Sequence, residues 1–161
     1  MWFTLKSQQH GLAAPTAYGF LDPIDGTINF ASGLPLYAVS IAYQREGAAD
    51  LGGTVVPGLR KYYFARRRGG AFCNGARLHV STRPLADALV SVVLTSHFSR
   101  AETDRTVGIL SVLARRAQGI RIILSEALEL GWLAEGALDG NLCVKADACG
   151  TAVGALLATP G

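Results

Sequence analysis

The sequence predicts an α/β fold, an α+β layered sandwich in which a mixed, largely antiparallel sheet packs against helices. Three observations predict it. Strand-like runs punctuated by turn residues crowd between Tyr37 and Val80, helical spacing follows Ala101, and 50% of the 161 residues are hydrophobic. A chain of this length holds one domain with a real core, so residues 1–161 are read as a single domain.

The elements follow in order. YAVSIAYQ, Tyr37 to Gln44, mixes alternation with β-branched residues and predicts a strand. GGTVVPG and RKYYFARR meet at Gly58-Leu59 after Pro57, which predicts two strands joined by a tight turn. In GAFCNGARLHV the pair Asn74-Gly75 is the strongest hairpin signal of the chain, so Tyr37 to Val80 reads as an antiparallel meander. ALVSVVL, Ala88 to Leu94, reads as a buried strand and is far too short to span a bilayer. Val107, Leu110, Leu113 and Ala117 recur at helical spacing, with Gly119 as a stop. Arg121 to Leu124 predicts a short strand. Ser125 then caps a helix whose apolar face carries Ala127, Leu130, Leu133, Ala134 and Ala137, with Glu126 well placed in its first turn. CGTAVGALLA, rich in small residues, predicts a last helix before Pro160-Gly161.

Composition excludes several classes. With 17% charged residues the chain is not disordered, and a net charge of +3 is too small to argue for nucleic acid. The one basic run, Arg66 to Arg68, follows Tyr62, Tyr63 and Phe64, which offers a base-stacking platform or a strand ending in a solvated hairpin turn. The second reading is adopted, and no nucleic-acid partner is expected. Cys73, Cys143 and Cys149 are an odd set without the spacing of a zinc site or a disulfide framework, and His10, His79 and His97 are scattered. Reduced thiols in a cytoplasm are expected. The N-terminus lacks a basic start followed by a long apolar core, so neither a signal peptide nor a membrane partner is expected.

The chemistry gathers in FLDPIDGTINFASGLP, Phe20 to Pro35. Asp22 and Asp25 flank a proline, with no lysine or arginine between Lys6 and Arg45 to neutralise them. Proline fixes one backbone angle and presets a bent loop. Two close carboxylates raise each other's pKa unless a cation intervenes, and hard divalent ions prefer oxygen, so Mg²⁺ is the natural partner, or Mn²⁺ in its place. The Ile24 carbonyl adds a third oxygen. Gly26 permits close backbone approach, and Thr27 offers a hydroxyl and an amide where TINFA begins a helix whose positive end suits an anion. A metal beside an anion pocket points to phosphate. The bland alternative is an Asp-Pro turn with Thr27 as a helix cap.

DPIDGTINFASGLPLYAVSIAYQREG resembles the signature of the inositol monophosphatase family of magnesium-dependent sugar and polyol phosphatases. GGTVVPGLRKYYFARRRGGAFCNGARLHVS is similar to that family's meander, and SEALELGWLAEGALDG to its following helix. The resemblance implies a sugar-phosphatase-like fold with a second, smaller sheet. It implies a hydrolase in which Asp22, Asp25 and the Ile24 carbonyl bind Mg²⁺, Thr27 orients the attacking water, amides at Gly26 and Thr27 hold phosphate, and Ser125 approaches a hydroxylated substrate ring. It also implies a homo-oligomer, commonly a dimer, acting on a small phosphorylated sugar or polyol.

The chain departs from the family pattern in three places. Residues 1–21 contain no acid, whereas the family carries a Glu-Glu pair before the Asp-Pro loop. A gapless match sets Cys149-Gly150 on the family's Trp-Asp pair, so that the metal-binding aspartate is missing, and puts Cys143 where a substrate-contacting glutamate is common; Asp147 would take the aspartate's place only if the loop slid by three residues. The usual N-terminal helical layer and the C-terminal strands are expected to be lacking. Activity is therefore expected to be impaired, and the alternative is a non-catalytic relative or fragment acting as a binding module.

Overall fold

Alternating small and large side chains build the larger of two sheets. In the computed structural model, which describes residues 3–5, 17–46, 48–145, 153–154 and 156–157, that sheet has seven strands. They are β1 (Phe3–Leu5), β2 (Ala17–Asp25), β3 (Ala38–Arg45), β4 (Ala48–Val56), β5 (Lys61–Arg66), β6 (Gly70–Cys73) and β7 (Ala76–Arg77). They lie in sequence order, each antiparallel to the next. The expected meander is present and starts earlier than the sequence suggested, because β1 and β2 precede it. Asn74 and Gly75 both have positive φ, 50° and 85°, as the tight turn between β6 and β7 requires. Arg67 to Gly69 form the exposed turn between β5 and β6, so the basic run is a solvated hairpin end.

The second sheet is small and parallel, ordered β10 (Gly140–Leu142), β8 (Leu89–Val92), β9 (Gly119–Arg121). Helix α2 (Arg100–Leu113) covers it, with Leu110 and Leu113 against Ala88, Val90 and Val92. A capping box starts α2. Ser99 accepts from the Glu102 amide, and Glu102 Oε2 accepts from the Ser99 amide. The strand expected at Arg121 to Leu124 lies at Gly119–Arg121 instead, because the chain turns through a left-handed Leu124 with φ 64°.

Helix α3 (Glu126–Ala134) follows with Ser125 at its N-cap, and it ends before Ala137, which is exposed and leaves the expected apolar face. Ala127, Leu128 and Ala134 pack on the inner face of the large sheet against Ala38, Ala42, Val56, Tyr63, Ala65, Ala71 and Cys73. Small residues on that face bring the helix close. At Gly131 an added Cβ would stand 2.7 Å from the Tyr63 ring, which is 2% exposed. Of the last helix expected, Val153–Gly154 and Leu156–Leu157 are helical, and Val153 and Leu157 join this core.

Two helical glycines should respond to alanine with opposite signs. Nothing lies within 4 Å of a Cβ at Gly108 in α2, so Gly108→Ala gains helix propensity and stabilises by about 1 kcal/mol. Gly131→Ala gains the same propensity, but it drives a methyl into a ring that cannot move aside, at an overpacking cost of about 1–3 kcal/mol. Thermal melts should show Gly108→Ala above the parent and Gly131→Ala below it. A rise for Gly131→Ala would mean that α3 does not sit this close to the sheet.

Candidate active site

A three-residue spacing on a regular strand puts two side chains on opposite faces. Asp22 and Asp25 escape that rule through a bulge. Asp22 pairs with Ser40 and Asp25 with Ala38, so β2 uses three steps where β3 uses two. The extra residue lies in Pro23-Ile24, a place where proline breaks no ladder. Both aspartates thereby share the inner face with the buried Ser40 and Ala38. The expected bent loop is thus a bulged strand end. With Phe20, Ser40, Ala42, Ala127 and Val153, the two aspartates line a small recess.

Hydrogen bonds fix the loop. The Ile24 amide donates to Asp22 Oδ1 at 3.1 Å, and Thr27 Oγ1 donates to the Ile24 carbonyl at 2.9 Å. Gly26 is left-handed, φ 79°, and caps the short helix α1 (Thr27–Ala31). A Cβ there would meet Leu36 O at 2.9 Å and Ser125 Cβ at 3.0 Å, so glycine is required by both conformation and space. Asn29, 6% exposed, donates through Nδ2 to the carbonyls of Leu36 and Ile123 at 2.7 and 2.6 Å. It ties α1 to the segment ahead of α3.

Asp25 reaches across the fold. Its Oδ2 accepts from Ser125 Oγ at 2.6 Å and from the Ala127 amide at 3.0 Å, so the carboxylate sits on the N-terminus of α3. Burial pushes the Asp25 carboxyl above the usual range. The Ser125 hydroxyl and the Ala127 amide pull it back in part, and the neighbouring Asp22 adds to the rise. Ser125, the residue expected to approach substrate, is fully buried behind Asp25 and makes no side-chain cap to its own helix.

One acid went unread in the sequence. Glu129 is 0% exposed, accepts from the Ile123 amide at 3.3 Å through Oε1, and has no partner for Oε2 among the described residues. Burial pushes its carboxyl up to about 8, with Asp25 and Glu126 adding to the rise. The signal was present: a glutamate between Leu128 and Leu130 in an otherwise apolar helix.

Asp22, Asp25 and the Ile24 carbonyl are hard oxygen donors, and burial together with the Asp22 charge leaves Asp25 in need of a cation. They fit Mg²⁺ as part of a ligand set. Among the described residues no cluster of three or more His, Cys, Asp or Glu is present. Asp147, Cys149 and Gly150 lie outside the described residues. Cys143 is half-buried, its thiol 3.0 Å from the Lys145 carbonyl.

A profile of the inositol monophosphatase family matches residues 11–151. The chain belongs to the inositol monophosphatase family. An inositol-1-monophosphatase of Mesorhizobium japonicum is 36% identical over 138 residues, 85% of this chain and 52% of the relative. A fructose-1,6-bisphosphatase/inositol-1-monophosphatase of Thermotoga maritima is 34% identical over 119 residues, 74% of this chain and 44% of its own. Among solved structures, the extragenic suppressor protein suhB of Bartonella henselae superposes with a TM-score of 0.83 at 30% identity, covering 89% of this chain and 56% of that one. The chain spans about half the length of these family members. The family fold, a large antiparallel sheet and a small parallel one with helices, is the one described above.

Burial of Glu129 gives a signed pH effect. Its carboxyl is raised from 4.5 to about 8 in the folded state, so the native protein holds a proton there that the unfolded chain releases. Stability from this group is complete below about pH 4.5 and declines as pH rises toward about 8. Thermal melts of the parent and Glu129→Gln should coincide near the acidic end, with the variant the more stable at alkaline pH. Parallel curves across the range would show that Glu129 ionises freely in the fold.

Proposed function

We propose that this chain is a Mg²⁺-dependent phosphomonoesterase of the inositol monophosphatase type, acting on a small phosphorylated sugar or polyol. The observation that carries the reading is the bulge that turns Asp22 and Asp25 to one face beside Thr27. The name of the Thermotoga relative, which joins a sugar bisphosphate and an inositol phosphate, supports the substrate class. Asp22, Asp25 and the Ile24 carbonyl would hold Mg²⁺, or Mn²⁺ in its place. Bound there, the ion would supply neutralising charge for the ester and its leaving oxygen.

The chain's own groups supply the rest. Thr27 donates its hydroxyl proton to the Ile24 carbonyl, which leaves its oxygen to accept from a water and orient it for attack. Amides of Gly26 and Thr27 are the proposed donors to phosphate, reached across a residue without a side chain. Two carboxylates and a carbonyl, the donors proposed among the described residues, would make a weak site that leaves several positions to water, so low turnover is the expectation. Cys73 is a buried free thiol, which supports a reducing, cytoplasmic setting. No described helix is long and apolar enough to cross a membrane.

Calorimetry with Mg²⁺, and phosphate release from glycerol phosphate, test the proposal. The parent should bind weakly and hydrolyse slowly. Asp25→Asn should lose binding by about 10-fold or more, and Asp22→Asn should abolish release. Identical titrations for parent and Asp25→Asn would remove the loop as the site.

A second reading, a self-associating interaction module, is favoured by the outer face of the large sheet. Ile41, Tyr43, Leu51, Val55, Tyr62 and Phe64 stand there, 37–56% exposed, on neighbouring strands. Contiguous apolar area of this kind is seldom left in water, and a second copy of the chain is the proposed cover, giving a dimer or larger homo-oligomer. Light scattering across concentrations should show association in the parent and a monomer for Tyr62→Lys with Phe64→Lys. A parent that stays monomeric would refute the oligomer.

A further inference from the structure

Ser125 stands at an N-cap without capping its own helix, and the reason lies on its other side. Its hydroxyl donates to Asp25 at 2.6 Å across a sequence separation of 100 residues. The residue before it, Leu124, holds φ 64°, a left-handed conformation that a leucine adopts at a strain of about 1 kcal/mol. Such a turn persists only where its surroundings fix it. They do so here from two sides. Glu129 Oε1 takes the Ile123 amide from α3, and Asn29 Nδ2 donates to the Ile123 carbonyl from α1. Gly26 lies against the same turn, where an added Cβ would be 3.3 Å from Leu124 O and 3.0 Å from Ser125 Cβ.

Resting on the metal reading above, we propose that Ser125 is a positioning residue that never meets substrate, its hydroxyl and the Ala127 amide locking Asp25 Oδ2 so that Oδ1 is presented to the divalent cation. Ser125 is fully buried, so a substrate hydroxyl cannot reach it without displacing Asp25. A carboxylate on a flexible torsion would lose affinity each time it rotated, and two donors on one oxygen remove that freedom. Ligand orientation by such outer partners is worth about 10–100-fold in metal affinity. The strained turn at Leu124 aims the hydroxyl, and a glycine there could adopt the same φ unstrained.

Calorimetric titration with Mn²⁺ alone, on the full chain, tests this with four variants, and urea melts report folding for each. Ser125→Ala should weaken Mn²⁺ about 10-fold, while Ser125→Thr, which keeps the hydroxyl, should stay within about 3-fold of the parent. Leu124→Gly should also stay within about 3-fold and melt at higher urea. In urea melts, Ser125→Ala and Asp25→Asn should be non-additive, since they remove one interaction. If Ser125→Ala does not fold, Ser125→Thr and Leu124→Gly decide alone, and a loss of about 10-fold in both overturns the proposal. Equal affinity for the parent and Ser125→Ala, or equal loss for the alanine and threonine variants, also overturns it while leaving the phosphatase reading standing. No Mn²⁺ binding by the parent beyond that of Asp25→Asn overturns both.

Discussion

Asp25 holds two distant parts of the chain together. Its Oδ2 accepts from Ser125 and from the first turn of α3, so a strand end near the N-terminus and a helix that begins about a hundred residues later share one carboxylate. A negative charge at a helix N-terminus is favourable, while its burial is not, and the raised Asp25 carboxyl shows which effect is larger. The same geometry that docks α3 on the sheet therefore leaves a partly desolvated carboxylate at the edge of a recess. Docking the helix and desolvating the carboxylate are one event. Any change that frees Asp25 from α3 loosens the fold and the site together.

The two faces of the large sheet show the division of labour. On the inner face Ala38, Ala42, Gly52, Ala65 and Ala71 keep the surface low, and α3 comes near enough for Gly131 to rest on Tyr63. Gly52 likewise meets Val153, whose methyls would be 3.2 Å from an added Cβ. A larger residue in these places would lift the helix and draw Ser125 away from Asp25. On the outer face the same alternation yields large side chains, with Tyr62 facing Val55 and Phe64 facing Phe72 across the strands. Arg77 lies over Phe72, 6.0 Å from the ring centroid, and shields part of that edge.

What could be read from the sequence follows from the range of each signal. Asn74-Gly75 was legible because two adjacent positive φ angles demand those residue types, and the turn sits where expected. The antiparallel meander followed from alternation over several residues. β9 and β10 span three residues each, too few for any periodicity, and their partner β8 lies far away in sequence. The proximity of Asp22 and Asp25 was legible and its cause was not, since a bulge is defined by the register of the partner strand. Ser125 was read as a helix cap because Ser before Glu is a local pattern. Its true partner lies outside any local window. Ser99 and Glu102 show the opposite case, a capping box written in four adjacent letters and left unread.

Leu124 and Glu129 violate local rules within six residues of each other, one a left-handed leucine, the other a fully buried acid. Each is unfavourable alone. They are linked through Ile123, whose amide donates to Glu129 and whose carbonyl accepts from Asn29, so the residue before the strained turn is held by both neighbouring helices. Strain at one position and desolvation at the other are offset by what that segment secures, which is the placement of Ser125 behind Asp25. Sites of conflict with propensity tend to mark function, because selection keeps a locally poor choice only where a distant partner requires it. Here the distant partner is Asp25, and the requirement is direction: the turn at Leu124 must deliver one hydroxyl to one carboxylate oxygen. That is why a segment with no chemistry of its own carries the greatest concentration of unfavourable choices near the site.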